Sequence, residues 1–423
     1  MIKKFLHNPF ILTALKKGIT ILSGATTLII ISRYLGPTLR GEYMYLVNTV
    51  ILLTTIFNLG ISLIYPQMRK KWTHAKEIFI SYALIQFLLY ILIGIITMFI
   101  SKNITLGLVL IISSISILNL QTTQINLVEN LPIQTWIMIG SSVINVLLII
   151  SAYLFTSQNM ELIFIIYGLK TAISAVLSLC FLFQKGARFH FFDPSFLLLT
   201  RMAFVPLLTS ILISINYQAD IVLLKWMSVD FYDIGLYSAG VALAEYAWMI
   251  PDIFKEVMFN LNARKDDIEK MKFSLRASVT AVCAIAVIMW CFGKEILIFF
   301  FSESYVSAYP ILLLMFIAVP FMVYVKIIGT LFSANGGWGY YLISLGGSVV
   351  INILLNFLLV PIFGIEGSAV ASIISYANGG IMMIIWFCKK YRVKISEIVF
   401  LLPKDWKLLF SYLVSKNRSK EDL

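Results

Sequence analysis

The feature that most constrains this chain is a succession of long apolar runs, separated by short segments of charged residues, prolines and glycines. A helix that spans a bilayer needs about 20 predominantly apolar residues, and we find about a dozen runs of that length. Composition agrees, because 60% of the 423 residues are hydrophobic and 13% are charged, against roughly a quarter charged in a soluble globular protein. The sequence therefore predicts an all-α polytopic membrane protein and excludes a water-soluble fold.

The limits of the apolar runs place twelve predicted transmembrane helices, which we call spans 1 to 12. We expect them near residues 14–35, 41–66, 77–100, 104–125, 133–156, 161–184, 196–219, 233–257, 273–294, 308–332, 340–361 and 366–388. The first apolar run is broken by Lys16 and Lys17 and lacks a small-residue cleavage site. We therefore do not interpret it as a removable signal peptide.

The distribution of basic residues predicts the orientation in the membrane. The chain has 33 Lys and Arg against 21 Asp and Glu, a net charge of +12, and 23 of the basic residues fall on the side that holds the amino terminus. Only five fall on the opposite side. Because cytoplasmic loops collect Lys and Arg, we expect both termini in the cytoplasm. The positive charge is then topological and does not indicate a nucleic-acid partner.

The tail after the last span is basic and partly amphipathic. Its segment Ile395–Tyr412 carries Trp406 and several lysines. This pattern is typical of a helix that lies on the inner leaflet surface, and a disordered tail is the alternative interpretation.

A short internal repeat indicates how the helices are grouped. Span 2 opens with Gly41-Glu42-Tyr43, and span 8 opens with Gly235-Leu236-Tyr237, 194 residues later. Parallel repeats are a recurrent plan of transporters, with a site between the halves. We therefore predict two pseudo-symmetric six-helix lobes around a central cavity. The predicted boundaries are 1–184 for the amino-terminal lobe, 185–195 for a cytoplasmic linker, 196–388 for the carboxy-terminal lobe and 389–423 for the tail.

Four motifs in this order resemble one family, and the similarity runs from about Leu15 to Lys389. They are Arg33–Pro37 with Arg40–Tyr43, Asp220 before Gly235–Tyr237, Asn352–Asn356, and Pro361–Ala369. They are similar to those of the O-antigen and capsule repeat-unit flippases, which belong to the multidrug/oligosaccharidyl-lipid/polysaccharide exporter superfamily.

The resemblance implies two six-helix lobes whose central cavity opens alternately to either side of the bacterial cytoplasmic membrane. The implied cargo is a glycan repeat unit linked to a polyprenyl (undecaprenyl) pyrophosphate, moved to the outer leaflet for lipopolysaccharide or capsule assembly. Implied partners are membrane lipids and, as a candidate, the polysaccharide polymerase. No resident cofactor is implied, and coupling to Na⁺ or H⁺ is left open.

Ionisable residues inside the spans are the first candidate site residues. Lys170 lies nine residues after Glu161, about 13 Å along a helix, and Glu245 also lies near the bilayer midplane. A charge at that depth is costly unless it faces water, a partner or cargo. We interpret Lys170 as a cargo contact and Glu245 as a coupling or gating residue, with a structural ion pair or an outward-reaching lysine as the alternative.

The resemblance extends the cationic set to the outer end of span 1. In the related flippases, cationic residues of the first two helices are thought to hold pyrophosphate, which suits the planar guanidinium group. Arg33 matches that position well. Arg40 is the second candidate, although a solvated turn residue is the favoured interpretation for it.

Five more charged residues lie inside the cytoplasmic ends of their spans, with Arg276 nearest its end. Arg201 and Lys326 are candidate cargo contacts there, and Asp252 and Lys255 are candidate gating residues in an ion-pair network. The alternative is that these long side chains reach out to the inner surface, which we favour for Arg276.

The resemblance also suggests a sodium site. In the lipid II branch of the superfamily, such a site uses an acid of helix 7, two polar residues of helix 11 and a hydroxyl of helix 12. Residues Asp220, Asn352, Asn356 and Ser372 fall at similar places. Because Asn356 replaces an acid, structural packing of the two amides is the favoured alternative.

Prolines inside spans are candidate hinges, namely Pro206, Pro251 and Pro320. We do not expect an enzyme, because no long loop is available outside and His7, His74 and His190 all fall on the cytoplasmic side. The remaining alternatives are a cation-coupled multidrug exporter and a lipid II flippase of the same superfamily.

Overall fold

The computed structural model describes residues 9–184, 189, 193, 195–262, 268–334, 337–403 and 405. Within these residues the secondary structure is helical, and no strand occurs among them. The helices of the amino-terminal half are α1 Pro9–Phe57, α2 Ile61–Lys71, α3 Ala75–Ser101, α4 Ile104–Glu129, α5 Leu131–Phe155 and α6 Met160–Gln184. The predicted all-α class is therefore confirmed.

The remaining helices follow the same pattern. They are α7 Ser195–Met202, α8 Phe204–Trp226, α9 Phe231–Ala247, α10 Met249–Asn262, α11 Ile268–Phe300, α12 Tyr309–Ala334 and α13 Trp338–Tyr391. Short 3₁₀ helices lie at Glu303–Ala308 and Ile395–Glu397.

Nine helical stretches of the described chain are long and apolar enough to cross a membrane, and they agree with about twelve spans. The stretch Leu15–Lys71 is 57 residues long and turns at Gly36, where φ is +68° just before Pro37. The 54-residue helix α13 turns in the same way at Gly364, where φ is +57°. Each of these stretches therefore holds two spans. Span 8 is divided between α9 and α10, which have 17 and 14 residues.

The chain divides into two compact units. The first contains Met1–Gly235 with Phe300–Ser304, and the second contains Leu236–Phe299 with Tyr305–Leu423. Most of the predicted linker, 185–195, lies outside the described residues, and the lobe boundaries stay a prediction.

The first unit is built on α1, whose two arms pack against α4, α5, α6 and α8. Its core contains buried apolar residues of α1 such as Leu35, Val47 and Val50, packed with Ile112 of α4 and Phe164 of α6. Because the outer surfaces of these helices keep many exposed leucines and isoleucines, the same helices present apolar faces to lipid.

Three predicted spans are interrupted in the described chain, one at Leu59 and Gly60 and two near prolines, where kinks were expected. Ala203 separates α7 from α8, and Trp248 separates α9 from α10, in each case three residues before Pro206 or Pro251. A proline inside a helix removes one backbone donor, and its ring crowds the carbonyl four residues back. Helix α12 continues through Pro320 without a break.

The two glycines of the internal repeat pack against each other in the first unit. A Cβ added to Gly41 would lie 1.8 Å from the Phe231 carbonyl oxygen and 2.8 Å from the Gly235 nitrogen. A Cβ on Gly235 would lie 2.0 Å from the Pro37 carbonyl oxygen. Only glycine permits this contact of backbone with backbone, so the repeated Gly-x-Tyr motif marks a packing site.

Candidate functional site

A cavity lined mostly by residues of polar type lies in the first unit, between α1, α4, α5 and α6. Its volume is about 340 Å³. Most of its lining side chains carry a hydroxyl or an amide, and one carries a charge. The lining consists of Thr20, Thr54, Ser116, Asn119, Leu120, Thr123, Met138, Ser141, Ser142, Tyr167, Lys170, Thr171 and Ser174.

Helical geometry explains how so many hydroxyls are accommodated in an apolar bundle. The hydroxyl of Thr171 donates to the Tyr167 carbonyl at 2.9 Å, and that of Ser141 donates to the Met138 carbonyl at 3.1 Å. Such bonds satisfy the proton of the hydroxyl and leave its oxygen able to accept a further bond. The Thr54 hydroxyl is shielded from solvent and has no hydrogen-bond partner among the described residues.

Lys170 is the cation of this cavity. Within the described part of the chain, no carboxylate or other hydrogen-bonding group contacts its ammonium group. A charged residue in the middle of a membrane helix costs about 2.5–3.5 kcal/mol on insertion scales. The ammonium group therefore lies at a cavity whose described lining carries hydroxyls and amides and no acidic side chain that would neutralise it.

Arg33 and Arg40, at the adjoining ends of the first two spans, have different environments. Arg33 is exposed, and its Nε donates to the Phe300 carbonyl at 3.3 Å. Arg40 is 1% exposed. Its Nη1 donates to the Gly235 carbonyl at 2.8 Å, and its guanidinium lies 5.6 Å from the centre of the Phe301 ring. The interpretation of Arg40 as a solvated turn residue is therefore wrong.

The second unit brings together several of the predicted gating residues. Lys326 Nζ contacts both carboxylate oxygens of Asp252, at 3.0 and 2.9 Å, and lies 5.1 Å from the centre of the Trp248 ring. Glu245 and Lys255 are close enough to act on Lys326 electrostatically. We expected an ion-pair network around Lys255. The observed partner of Asp252 is instead Lys326 of α12.

Arg201 and Arg276, which were predicted to lie near the cytoplasmic ends of their spans, also differ from each other. Arg201 is exposed in the last turn of α7. Arg276 is 2% exposed and forms a double hydrogen bond with Asp405, at 2.7 and 2.8 Å, and its Nη1 donates to the Glu397 carbonyl at 2.7 Å. The interpretation of Arg276 as a side chain that reaches to the surface is therefore wrong.

Residues 393–403 and 405, which we call the C-terminal strap, pack on α11 and α12. Ile398 is fully buried, and its carbonyl accepts a bond from the Tyr324 hydroxyl at 3.3 Å. The Leu401 nitrogen donates to Thr280 Oγ1 at 3.0 Å. A surface helix over Ile395–Tyr412 was therefore a wrong expectation for the part up to Asp405, and residues 406–412 lie outside the described residues.

Glu397 anchors the exposed side of the C-terminal strap. Its carboxylate accepts a hydrogen bond from Lys272 at 2.8 Å. This bond, together with one from the backbone nitrogen of Lys394, holds the pKa of Glu397 below its ordinary value. The contribution of Glu397 to stability is therefore complete above the ordinary glutamate pKa and is lost as the pH falls through the lowered pKa.

The residues of the suggested sodium site are buried. Asn356 Nδ2 donates to the carbonyl and to the side-chain oxygen of Asn352, at 3.0 and 3.2 Å, and Asn352 Nδ2 donates to Ser372 Oγ at 3.4 Å. Asp220 is 6% exposed in α8. Because Asn352 Oδ1 already accepts a bond, this donor set fits amide packing better than a cation, and we derive no step through sodium.

No protein-family profile matches the chain, and no curated protein sequence matches it either. Solved structures do match. The lipid II flippase MurJ in an inward closed conformation is similar over 96% of this chain and 93% of its own, with a TM-score of 0.71 and 15% identity.

Multidrug transporters of the MATE family have the same fold. An inward-facing MATE transporter of the MOP superfamily covers 88% of this chain and 94% of its own, with a TM-score of 0.65 and 14% identity. The Vibrio cholerae MATE transporter VcmN in its bent form covers 94% and 99%, with a TM-score of 0.54 and 14% identity. This chain therefore shares its fold with these solved structures.

Proposed function

We propose that this protein is a lipid-linked oligosaccharide flippase of the bacterial cytoplasmic membrane. It moves polyprenyl-pyrophosphate-linked glycan repeat units from the inner to the outer leaflet by alternating access. The units serve the assembly of O-antigen, capsule or another surface polysaccharide. The shared fold with a lipid II flippase supports this class, and the motifs around Arg33 and Pro361 support the cargo.

The observation that carries the proposal is the cation in the cavity of the first unit. A flippase must shelter a pyrophosphate and a polar glycan from hydrocarbon while the polyprenyl tail stays in lipid. Lys170 supplies positive charge to that cavity, and the surrounding hydroxyls and Asn119 supply hydrogen-bonding groups. Hydrogen bonds to charged groups contribute about 1.5–3 kcal/mol, so one such contact matters for transport.

Other predicted cargo residues take different parts in the proposal. Arg33 is exposed near the end of span 1, and in this proposal it contacts a phosphate of the cargo. Arg40 is buried against Gly235 and acts through packing. Lys326 is held by Asp252, so the pair serves the conformational cycle.

A cation-coupled drug exporter is the second candidate because MATE transporters share the fold. The lining of the cavity contains Lys170 and no acidic residue among the described side chains. This charge favours an anionic cargo over a cationic drug.

Complementation of a bacterial strain that lacks its own repeat-unit flippase tests the proposal. We expect the wild-type chain to restore surface polysaccharide. We expect Lys170→Ala to lower the level of surface polysaccharide on the order of ten- to a hundredfold. This factor corresponds to the loss of one charge-assisted hydrogen bond. Lys170→Arg should retain most of the activity, and Lys102→Ala, at an exposed position after α3, is the matched control.

Two outcomes would contradict the proposal. Restored drug resistance without restored polysaccharide would identify an exporter. Wild-type polysaccharide levels in both Lys170→Ala and Arg33→Ala would show that these cations do not contact cargo. Protein levels in the membrane fraction, measured for every variant, separate loss of transport from loss of expression.

A further inference from the structure

The second helix of each six-helix half is interrupted at an equivalent place. In the first half the helix ends at Phe57, 16 residues after Gly41. In the second half it ends at Ala247, 12 residues after Gly235. The two breaks therefore fall within about one helical turn of each other when the repeated glycines are aligned.

The first break is formed by a left-handed backbone. Leu59 has φ +54° and Gly60 has φ +70°. A Cβ on Gly60 would lie 2.6 Å from the Ala203 carbonyl oxygen and 2.8 Å from the Leu207 nitrogen. The break is thus packed directly against the start of α8, where the neighbouring span is itself interrupted.

Three buried amide side chains fasten this first break. Gln86 Nε2 donates to the Phe57 carbonyl, which the break releases, at 2.6 Å. Gln121 Nε2 donates to Asn58 Oδ1 at 3.1 Å and to Gln86 Oε1 at 2.7 Å, and Asn58 Nδ2 donates to Ser62 Oγ at 2.9 Å. We call Asn58, Gln86 and Gln121 the amide cluster, and its three side chains are all uncharged.

The second break is fastened by charge. Trp248 occupies it, and its ring packs edge-on against Tyr376 at 5.9 Å between ring centres. The Lys326–Asp252 ion pair closes over the same ring. The Lys326 side chain is 10% exposed, whereas that of Asp252 is 42% exposed. One partner of the pair is therefore open to water and to competing ions.

A broken helix in a membrane is costly unless its released backbone groups are bonded. A continuous helix would need no such fastening, so two fastened breaks at equivalent positions indicate a shared mechanical role. Neutral amides hold their partners by geometry, while an ion pair with one exposed member is weakened by any charge that competes for it.

We propose that both breaks are hinges, and that they are controlled differently. The amide cluster holds the first hinge as a fixed pivot. The Lys326–Asp252 pair is a releasable latch on the second hinge, so that the inner segment α10 swings when the latch opens. This proposal does not depend on the nature of the cargo.

Hydrogen–deuterium exchange of the full-length protein in lipid nanodiscs tests it without any transport assay. We expect peptides covering 57–63 and 245–252 to exchange faster than the flanking helices. Lys326→Met should accelerate exchange about tenfold at 245–252 and leave 57–63 unchanged, because the loss of one fastening bond is worth about that factor. Gln121→Leu, the matched control, should accelerate exchange at 57–63 only.

Raised salt is a second test. It should accelerate exchange at 245–252, because it weakens the half-exposed ion pair, and leave exchange at 57–63 unchanged, because the amides are uncharged. The proposal is overturned if both breaks exchange as slowly as α3. It is also overturned if Lys326→Met and Gln121→Leu affect both breaks equally, which is what general destabilisation would produce. If Lys326→Met does not yield folded protein, Asp252→Asn removes the same ion pair at its more exposed member. The same change in exchange at 245–252 is then expected.

Discussion

Buried charges of the second unit find their partners far along the chain. Arg276 and Asp405 are separated by 129 residues in sequence, yet their side chains are only 3% and 6% exposed. A guanidinium in this position is tolerated because a carboxylate and a backbone carbonyl accept its protons. The C-terminal strap therefore depends on this ion pair.

Replacement of Asp405 by alanine should destabilise the protein strongly. The change leaves the Arg276 guanidinium buried without its carboxylate, and breaking a buried pair in this way costs about 3–5 kcal/mol. Unfolding of the purified protein, titrated with a denaturing detergent, measures the effect.

Glu397→Gln serves as the comparison for that variant. The Glu397 side chain is 36% exposed, and its partner Lys272 keeps a second carboxylate, Glu269, so we expect a smaller loss of stability than for Asp405→Ala. A loss for Asp405→Ala no larger than that for Glu397→Gln would show that the buried pair does not hold the strap.

Helix packing at the repeated glycines is set by the absence of side chains. Gly41→Ala should force the start of span 2 away from Phe231, because the new Cβ would overlap a backbone oxygen that cannot rotate aside. Overpacking typically costs 1–3 kcal/mol and occasionally more. We expect a lower melting temperature and a lower yield in the membrane fraction.

Gly140→Ala provides the control for that substitution. Gly140 lies within α5, and nothing lies within 4 Å of an added Cβ. Alanine favours a helix over glycine by about 0.5–1 kcal/mol, so this variant should be as stable as the wild type or more stable. Equal losses in both variants would show that the close contact at Gly41 is not required.

The helices themselves were largely predictable, and their interruptions were predictable only in part. Apolar runs gave the spans, and Pro206 and Pro251 marked two breaks. The break at Leu59 and Gly60 was not predicted, because a single glycine in an apolar run does not indicate that a helix ends. Its cause is the close approach of Ala203. Lys170 was found because a charge in an apolar run is conspicuous.

Partners from distant segments were not predictable. Nothing near Arg276 in the sequence points to Asp405, and nothing near Lys326 points to Asp252 across 74 residues. Local spacing suggests only i,i+3 and i,i+4 pairs, so the sequence favoured Lys255 as the partner of Asp252.

The orientation of the complete protein is open to a direct test. With 23 of 33 basic residues on the side of the amino terminus, we expect both termini in the cytoplasm. Green fluorescent protein fused after Leu423 should fluoresce, and alkaline phosphatase fused there should be inactive. Phosphatase fused in the loop after span 3, near Lys102, should be active, and the reverse pattern would contradict the predicted orientation.

The contact between Gly41 and Gly235 also constrains how the two halves can diverge. Within the first unit, each glycine and its neighbouring backbone form the surface against which the other copy of the motif packs. A larger residue in one copy of the motif therefore cannot be offset by a smaller one in the other, since both are already glycine. Elsewhere each half is free to acquire its own chemistry, as the amide cluster and the Lys326–Asp252 pair illustrate. At this pair of positions, however, a substitution in one copy of the motif also changes the packing of the other copy.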